Sequence, residues 1–279
     1  MIDEIITFAF KEDLGNGDHT SLSCVPKNAE GKAKLLVKDE GIIAGVALAE
    51  KIFHKYDSNL NITTFIKDGD QVKHGDIVFE IEGKSQSILA TERLVLNFMQ
   101  RMSAIATQTH RIVNLISGTE AKLLDTRKTT PGIRALEKWA VKIGGGHNHR
   151  FGLYDMIMIK DNHIDYAGSI EKAIERANEY IKNNDLDIQI EIEVRDENEL
   201  MEVLRIGKVN RIMLDNFTPE KISEVLPKIP KEIETEASGG ITEDNIRAYA
   251  ETGVNYISSG ALTHSVYSMD LSLKAIYTQ

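Results

Sequence analysis

The chain has 279 residues, 42% of them hydrophobic and 27% charged, which is the make-up of a globular α/β protein rather than of a disordered or fibrous one. A formal net charge of −10 argues against nucleic acid as a partner. The single cysteine, Cys24, excludes an intrachain disulfide and a cysteine-based zinc site and suits a reducing compartment.

Residues 1–10 carry Asp3 and Glu4 and have no basic segment ahead of an apolar run, so they do not read as a secretory signal. The most apolar short stretch, 41–49, is too short to span a bilayer and has charges on both sides. The expectation is a soluble cytoplasmic protein with no membrane association. Strands are expected over 33–38 and 63–67, with tight turns at Asp68-Gly69-Asp70 and His74-Gly75-Asp76. Residues 65–81 look like the hammerhead hairpin of lipoyl or biotinyl carriers. A carrier, however, needs a modifiable lysine at a hairpin tip, and Lys84 has no such setting. From 91 to 116 runs a helix that is apolar nearly all round (Leu94, Val95, Leu96, Phe98, Met99, Met102, Ile105), which predicts burial at a domain seam or a subunit interface.

Beyond that helix, strand-like segments at 122–126, 156–160, 189–194, 211–215, 232–237 and 256–259 alternate with helical ones at 169–182, 197–205, 219–226 and 243–251. Such alternation predicts parallel strands with crossover helices. Thr218-Pro219 offers an N-cap with proline at the first helical position, and Thr242-Glu243-Asp244 puts acids in a first turn. The strands end in polar or charged residues, as expected where the C-terminal ends of βα-barrel strands build an active site. Period-two alternation puts Gln189, Glu191 and Glu193 on one strand face, Lys160 with Met156 and Met158, and Asp215 with Met213. If the β-branched faces pack on helices, Lys160, Glu193 and Asp215 point into the barrel mouth, where they should meet each other or a charged ligand.

The chemistry concentrates in a basic segment of an acidic chain: Arg127, Lys128, Arg134, Lys138, Lys142, Arg150 and Lys160, with His147 and His149 among them. That points to a small anionic ligand, although Lys138 and Lys142 suit a solvated helix face equally well. Arg127 and Lys128, directly after a strand and followed by hydroxyls and a turn, suit an anion receptor. Gly144-Gly145-Gly146 permits close backbone approach to a ligand but lacks the spacing of a P-loop. His147, His149 and His163 could instead bind a transition metal, which the neighbouring Arg150 opposes. Ser238-Gly239-Gly240 and Ser259-Gly260-Ala261 close the last two strands with the small residues and hydroxyls of a phosphate site.

Taken together, DTRKTTPG at 125–132, GGGHNHR at 144–150 and IKDNH at 159–163, with Thr91-Glu92-Arg93 and the later strand ends in the same order, resemble the quinolinate phosphoribosyltransferase family over nearly the whole chain. The resemblance implies an α/β fold: an open, incomplete α/β barrel over 105–264 and a smaller N-terminal α/β sandwich domain over 1–104, joined by a C-terminal tail, 265–279. It implies transfer of phosphoribosyl from phosphoribosyl pyrophosphate to quinolinate with decarboxylation, a step of NAD biosynthesis. Arg127, His149, Arg150 and Lys160 would then bind the two quinolinate carboxylates. Lys128, Glu193 and Asp215 would be the catalytic set that handles phosphoribosyl pyrophosphate and its Mg2+. Ser238, Gly239, Gly240, Ser259, Gly260 and Ala261 would hold the 5-phosphate. The resemblance also implies a homodimer in which Arg93 reaches the partner's site, with assembly beyond the dimer left open. Rival readings are a phosphoribosyltransferase-like protein of molybdate-transport operons, a barrel aldolase using Lys160 as Schiff base, and a nucleotide-sensing module without turnover.

Overall fold

The computed structural model describes residues 1–276, so the last part of the 265–279 tail lies outside the described residues. The chain forms two compact units. The first comprises Met1–His110, Thr129–Gly145 and the described residues from Ala261 onward; the second comprises Arg111–Lys128 and Gly146–Gly260.

In chain order the first unit begins with helices α1 (Ile2–Leu14) and α2 (His19–Cys24), then strands β1 (Glu30–Val37) and β2 (Gly41–Ile42), helix α3 (Val46–Tyr56), and strands β3 (Asn61–Thr64), β4 (Gln71–Val72) and β5 (Ile77–Lys84). Helix α4 (Ser85–Leu115) follows, and the division between units falls near its end. The second unit then alternates β6 (Lys122–Leu124), β7 (Ile157–Ile159), α6 (Asp161–Ala167), α7 (Ile170–Asn183), β8 (Ile190–Val194), α8 (Glu197–Ile206), β9 (Arg211–Asp215), α9 (Pro219–Val225), β10 (Glu234–Ser238), α10 (Ile246–Glu251) and β11 (Tyr256–Ser258). Helices α5 (Arg134–Ile143) and α11 (Ala261–His264) and strand β12 (Leu271–Ile276) return to the first unit.

The first unit is built on an antiparallel sheet of order β12-β1-β5-β3. Alternation along β1 buries Ala33, Leu35 and Val37, and the core continues through Ile52, Phe53 and Phe79, whose two rings meet edge-on at 5.9 Å. The apolar face of α4 packs there: Val95, Met99, Met102 and Ile105 are fully buried, and the Ser103 hydroxyl accepts from Ala44 N at 2.9 Å. The expected turns form as Asp70 and Asp76 each accept the backbone N–H three residues earlier, at 2.9 Å. Lys84 is paired in register with Glu30 inside the sheet, so it does not stand at a hairpin tip. Lys142 is exposed as a solvated-face residue should be, whereas Lys138 is buried, correcting that expectation for this residue.

The second unit holds a six-stranded parallel sheet of order β6-β11-β10-β9-β8-β7. Strands β6 and β7 are its two edges, so the barrel is open between them. Ile190, Ile192 and Val194 are buried on the helix side, as the alternation required. Thr218 caps α9 by accepting from Lys221 N, with Pro219 at the first position. Helix α10 starts later than Thr242-Glu243-Asp244 suggested, because the Asn245 side chain accepts from Thr242 N at 2.7 Å and shapes a turn there. Among the described residues no helix is long and apolar enough to cross a membrane.

Candidate active site

At the C-terminal ends of the parallel strands the second unit encloses a cavity of about 360 Å³. Its wall carries Arg127, Lys128, His149, Arg150 and Lys160, and Met158 and Met213 supply the apolar part. Ser238 and Ser258, closing β10 and β11, line it as well, and so does the carboxylate residue Glu236.

Each basic group is set in place by local structure. The short β6 leaves Asp125 buried just past its end, where the carboxylate accepts from His149 N at 2.8 Å and ties the glycine-rich segment to the strand. Lys128 N donates to the Thr126 hydroxyl at 3.0 Å, a turn that follows directly from the Thr-x-Lys spacing. Asp155 accepts from Phe151 N and Gly152 N at 2.6 and 2.8 Å, closing the loop that carries Arg150. The Arg150 guanidinium reaches Met156 O at 3.3 Å, and burial and the Arg127 guanidinium beside it lower its pKa. Two cations drawn this close in a half-buried wall leave the cavity strongly attractive to an anion.

Lys160 stands where β7 passes into α6 and forms an ion pair with Glu193 of β8, as the shared inward face predicted. Burial, and next the negative charge of Glu193, raise the pKa of Asp215, while Lys160 acts the other way. Asp215 also accepts from Asn216 Nδ2 at 2.7 Å. Asn216 has a φ of +57° and donates its backbone N–H to Ser238 O at 2.8 Å. A Cβ on Gly239 would lie 2.3 Å from Asn216 Oδ1, so only glycine lets these two loop ends meet.

His149 is almost completely buried. Its Nε2 lies 2.9 Å from Glu191 Oε2 and 3.4 Å from Glu236 Oε2, while its Nδ1 accepts from Arg150 N at 2.6 Å. Burial and the Arg150 N–H both favour a neutral ring, but the two carboxylates beside Nε2 outweigh them and lift the pKa to about 9. The second proton enters at Nδ1 and displaces the Arg150 bond. Burial would raise both acids; it does so for Glu191, helped by the charge of Glu236, whereas His149, Ser258 and Arg211 bring Glu236 below its ordinary value.

The structure thus gathers Arg127, Lys128, His149, Arg150 and Lys160 at one cavity, with Glu193 and Asp215 joined to it through Lys160. Gly239, Gly240, Ser259 and Gly260 follow the ends of β10 and β11, and Ala261 opens α11. Arg93 is exposed on α4 and belongs to the other unit. His147, His149 and His163 do not form a metal set. His163 Nδ1 accepts from Lys160 N at 2.9 Å, and His149 groups instead with Glu191 and Glu236. A cation among those three would compete with Arg211, whose guanidinium lies 3.3 Å from Glu236. Glu191, Arg211 and Glu236 were missed as site residues, though period-two alternation on β8, β9 and β10 turns all three inward.

A parallel α/β sheet with cationic groups converging beyond its strand ends defines an enzyme that gathers a polyanionic substrate. The sequence model for the quinolinate phosphoribosyl transferase C-terminal domain matches residues 105–274, and that for the N-terminal domain matches 18–103. The chain belongs to the quinolinate phosphoribosyltransferase family. It is 44% identical over 286 residues to a mitochondrial quinolinate phosphoribosyltransferase (decarboxylating) of Nicotiana glauca, covering 97% of this chain and 81% of that one. It is 44% identical over 285 residues to the chloroplastic nicotinate-nucleotide pyrophosphorylase (carboxylating) of Arabidopsis thaliana, with the same coverage of 97% and 81%. Among solved structures, NadC from Streptococcus pyogenes superposes with a TM-score of 0.93 at 37% identity, covering 100% of this chain and 97% of that one.

Proposed function

We propose that this protein transfers the phosphoribosyl group of phosphoribosyl pyrophosphate to the ring nitrogen of quinolinate and releases pyrophosphate and CO2, giving nicotinate mononucleotide for NAD biosynthesis. The observation that carries this reading is the cavity itself: five cationic or cation-forming side chains around an apolar patch, in a chain of net charge −10. A flat aromatic diacid fits that lining. Its two carboxylates meet Arg127, His149, Arg150 and Lys160, and its ring meets Met158 and Met213.

The chemistry asks for charge placement rather than a covalent nucleophile. As the bond to pyrophosphate breaks, positive charge grows on the sugar and negative charge on the leaving group. Glu193 and Asp215 offset the first and Lys128 the second. Once the ring nitrogen is alkylated, its positive charge stabilises the carbanion left when the 2-carboxylate departs as CO2, and that carbon then takes a proton from solvent to give nicotinate mononucleotide. Glu193 and Asp215 lie close enough for the charge of one to raise the pKa of the other, and such a pair of oxygen donors fits Mg2+ brought by the pyrophosphate. That ion would neutralise part of the leaving-group charge.

Ser238 to Gly240 with Ser259 and Gly260 hold the 5-phosphate in this reading, with hydroxyls and glycine backbone as donors. The protein works as a homodimer in which Arg93 of one subunit completes the partner's quinolinate site, which gives the exposed Arg93 a task. An acidic chain with one exposed cysteine suits the cytoplasm. Lys160 is ion-paired with Glu193, which disfavours the Schiff-base chemistry of an aldolase.

Incubation with quinolinate, phosphoribosyl pyrophosphate and Mg2+ should yield nicotinate mononucleotide and CO2 in equal amounts. Folded protein that binds these ligands and turns nothing over would favour the sensing module. Folded protein that neither binds nor turns over quinolinate would favour the molybdate-associated alternative.

A further inference from the structure

Below the basic wall lies a second layer of charge that the transfer reaction does not use. Glu191, Arg211 and Glu236 face inward from three adjacent strands; Glu191 is in register with Arg211, and Glu236 with Met213. Arg211 reaches Glu234 at 2.8 Å and Glu236 at 3.3 Å and stacks 4.1 Å above the Tyr256 ring. Glu236 is thereby held from one side by a guanidinium and faces His149 on the other. Glu191 is different. Its carboxylate is completely buried, its contact with His149 is poorly directed, and neither of its oxygens receives a well-aligned hydrogen bond among the described residues.

An incompletely satisfied buried carboxylate destabilises a fold, and an apolar residue of similar size is normally the more stable choice. The neighbouring register position on the same inner face is filled by Met213, so the layer does accept apolar side chains. Folding alone therefore gives no reason for Glu191, and the group it touches is the His149 ring. That ring lines the cavity beside the Arg150 guanidinium and, in its neutral form, accepts the Arg150 backbone N–H.

We propose that Glu191 and Glu236 are positioning residues, a two-carboxylate clamp that fixes the His149 ring from below and through it the His149-Arg150 edge of the quinolinate pocket. The inference deepens the proposed function and rests on it. An acid in the wall of a diacid pocket would repel the substrate, and Glu236 is acceptable there because Arg211 and His149 flank it. Glu191 faces the ring nitrogen from β8 at 2.9 Å and Glu236 faces it from β10 at 3.4 Å, so carboxylates of two strands bound the ring.

The test uses Glu191→Gln and Glu236→Gln in the full chain, with Glu191→Ala as the variant that conserves nothing. Steady-state KM for each substrate, thermal unfolding, and NMR signals of the His149 ring are read together. The clamp predicts a rise in quinolinate KM of about tenfold in Glu191→Gln, the low end of what loss of an outer partner costs at a metal-ligating histidine. KM for phosphoribosyl pyrophosphate stays within about twofold, the Tm is unchanged or higher, and the His149 signals move. Glu191→Ala is worse than Glu191→Gln, which keeps an acceptor. Unmoved His149 signals, equal changes in both KM values, or a lower Tm with both KM values unchanged would each overturn the clamp. So would stoichiometric uptake of Zn2+ or Mg2+, titrated alone, by wild type and its loss in Glu191→Gln, since the trio would then be a metal centre. If wild type does not turn over quinolinate, the proposed function falls, and the NMR signals still decide whether the clamp exists.

Discussion

Glutamate is completely buried in both units, Glu137 in the first and Glu191 and Glu236 in the second, and Glu137 and Glu191 are treated differently. In the first unit Glu137 accepts from Arg101 Nε and Nη2 at 3.1 and 2.9 Å and from Thr130 N and Oγ1, both at 2.9 Å. In the second unit Glu191 has an equally buried carboxylate with no well-aligned donor and a raised pKa. A carboxylate that receives four well-aligned hydrogen bonds is a structural tie, because it can be removed only by stranding its partners. A carboxylate left short of donors stores free energy, which selection tolerates where the site needs a particular field or geometry. The difference teaches that burial alone does not separate structural from functional charge; the donor set does.

The comparison can be broken in several ways. The largest effect is expected from Arg93→Ala and Lys160→Ala, each inactive alone. Mixed dimers should regain activity, because the two substitutions fall in one site and leave the other intact. No recovered activity in a verified heterodimer would take Arg93 out of the partner's site. Next, Arg150→Ala should raise KM for quinolinate by roughly 10²-fold or more, at ~1.5–3 kcal/mol per charged hydrogen bond and two bonds lost. KM for phosphoribosyl pyrophosphate should barely move; equal losses for both substrates would contradict the assignment.

Glu137→Ala should cost about 3–5 kcal/mol in unfolding free energy measured by denaturant titration, with KM values nearly unchanged. A selective rise in quinolinate KM without loss of stability would erase the contrast with Glu191. The smallest effect is the pH dependence of His149. Its pKa is raised from 6.5 to about 9, so the stabilisation from its charged form is complete below about pH 6.5 and lost as pH rises through about 9. Wild-type Tm should therefore decline across that interval more steeply than that of His149→Gln; parallel curves would show that the ring does not charge.

Much of this was legible in the sequence. Alternation on the strands placed Lys160 and Glu193 on inward faces and required that they meet something charged, and they meet each other. The basic segment was visible as a charge anomaly. What alternation does not give is depth: it turns Glu191 and Glu193 the same way, yet one is sealed in and the other borders Lys160. Nor does it show that His149, from the loop after β6, lands against β8 and β10, because that contact spans long sequence separations. Lys138 was unreadable for a different reason: α5 carries charges at Arg134, Glu137, Lys138 and Lys142 among apolar residues, and local pattern does not say which charge is buried. Helix α3 was partly concealed in the apolar stretch 41–49, which crosses from β2 into the first helical turn.

The central claim is that the cavity of the second unit is a receptor for a dicarboxylate, and the ratio of kcat/KM for quinolinate to that for nicotinate tests it most directly. The two acids differ by one carboxylate, which loses two or more charged hydrogen bonds at ~1.5–3 kcal/mol each, so the ratio should exceed about 10². Nicotinate used within about fivefold of quinolinate would contradict the account, because the second carboxylate would then have no cation waiting for it.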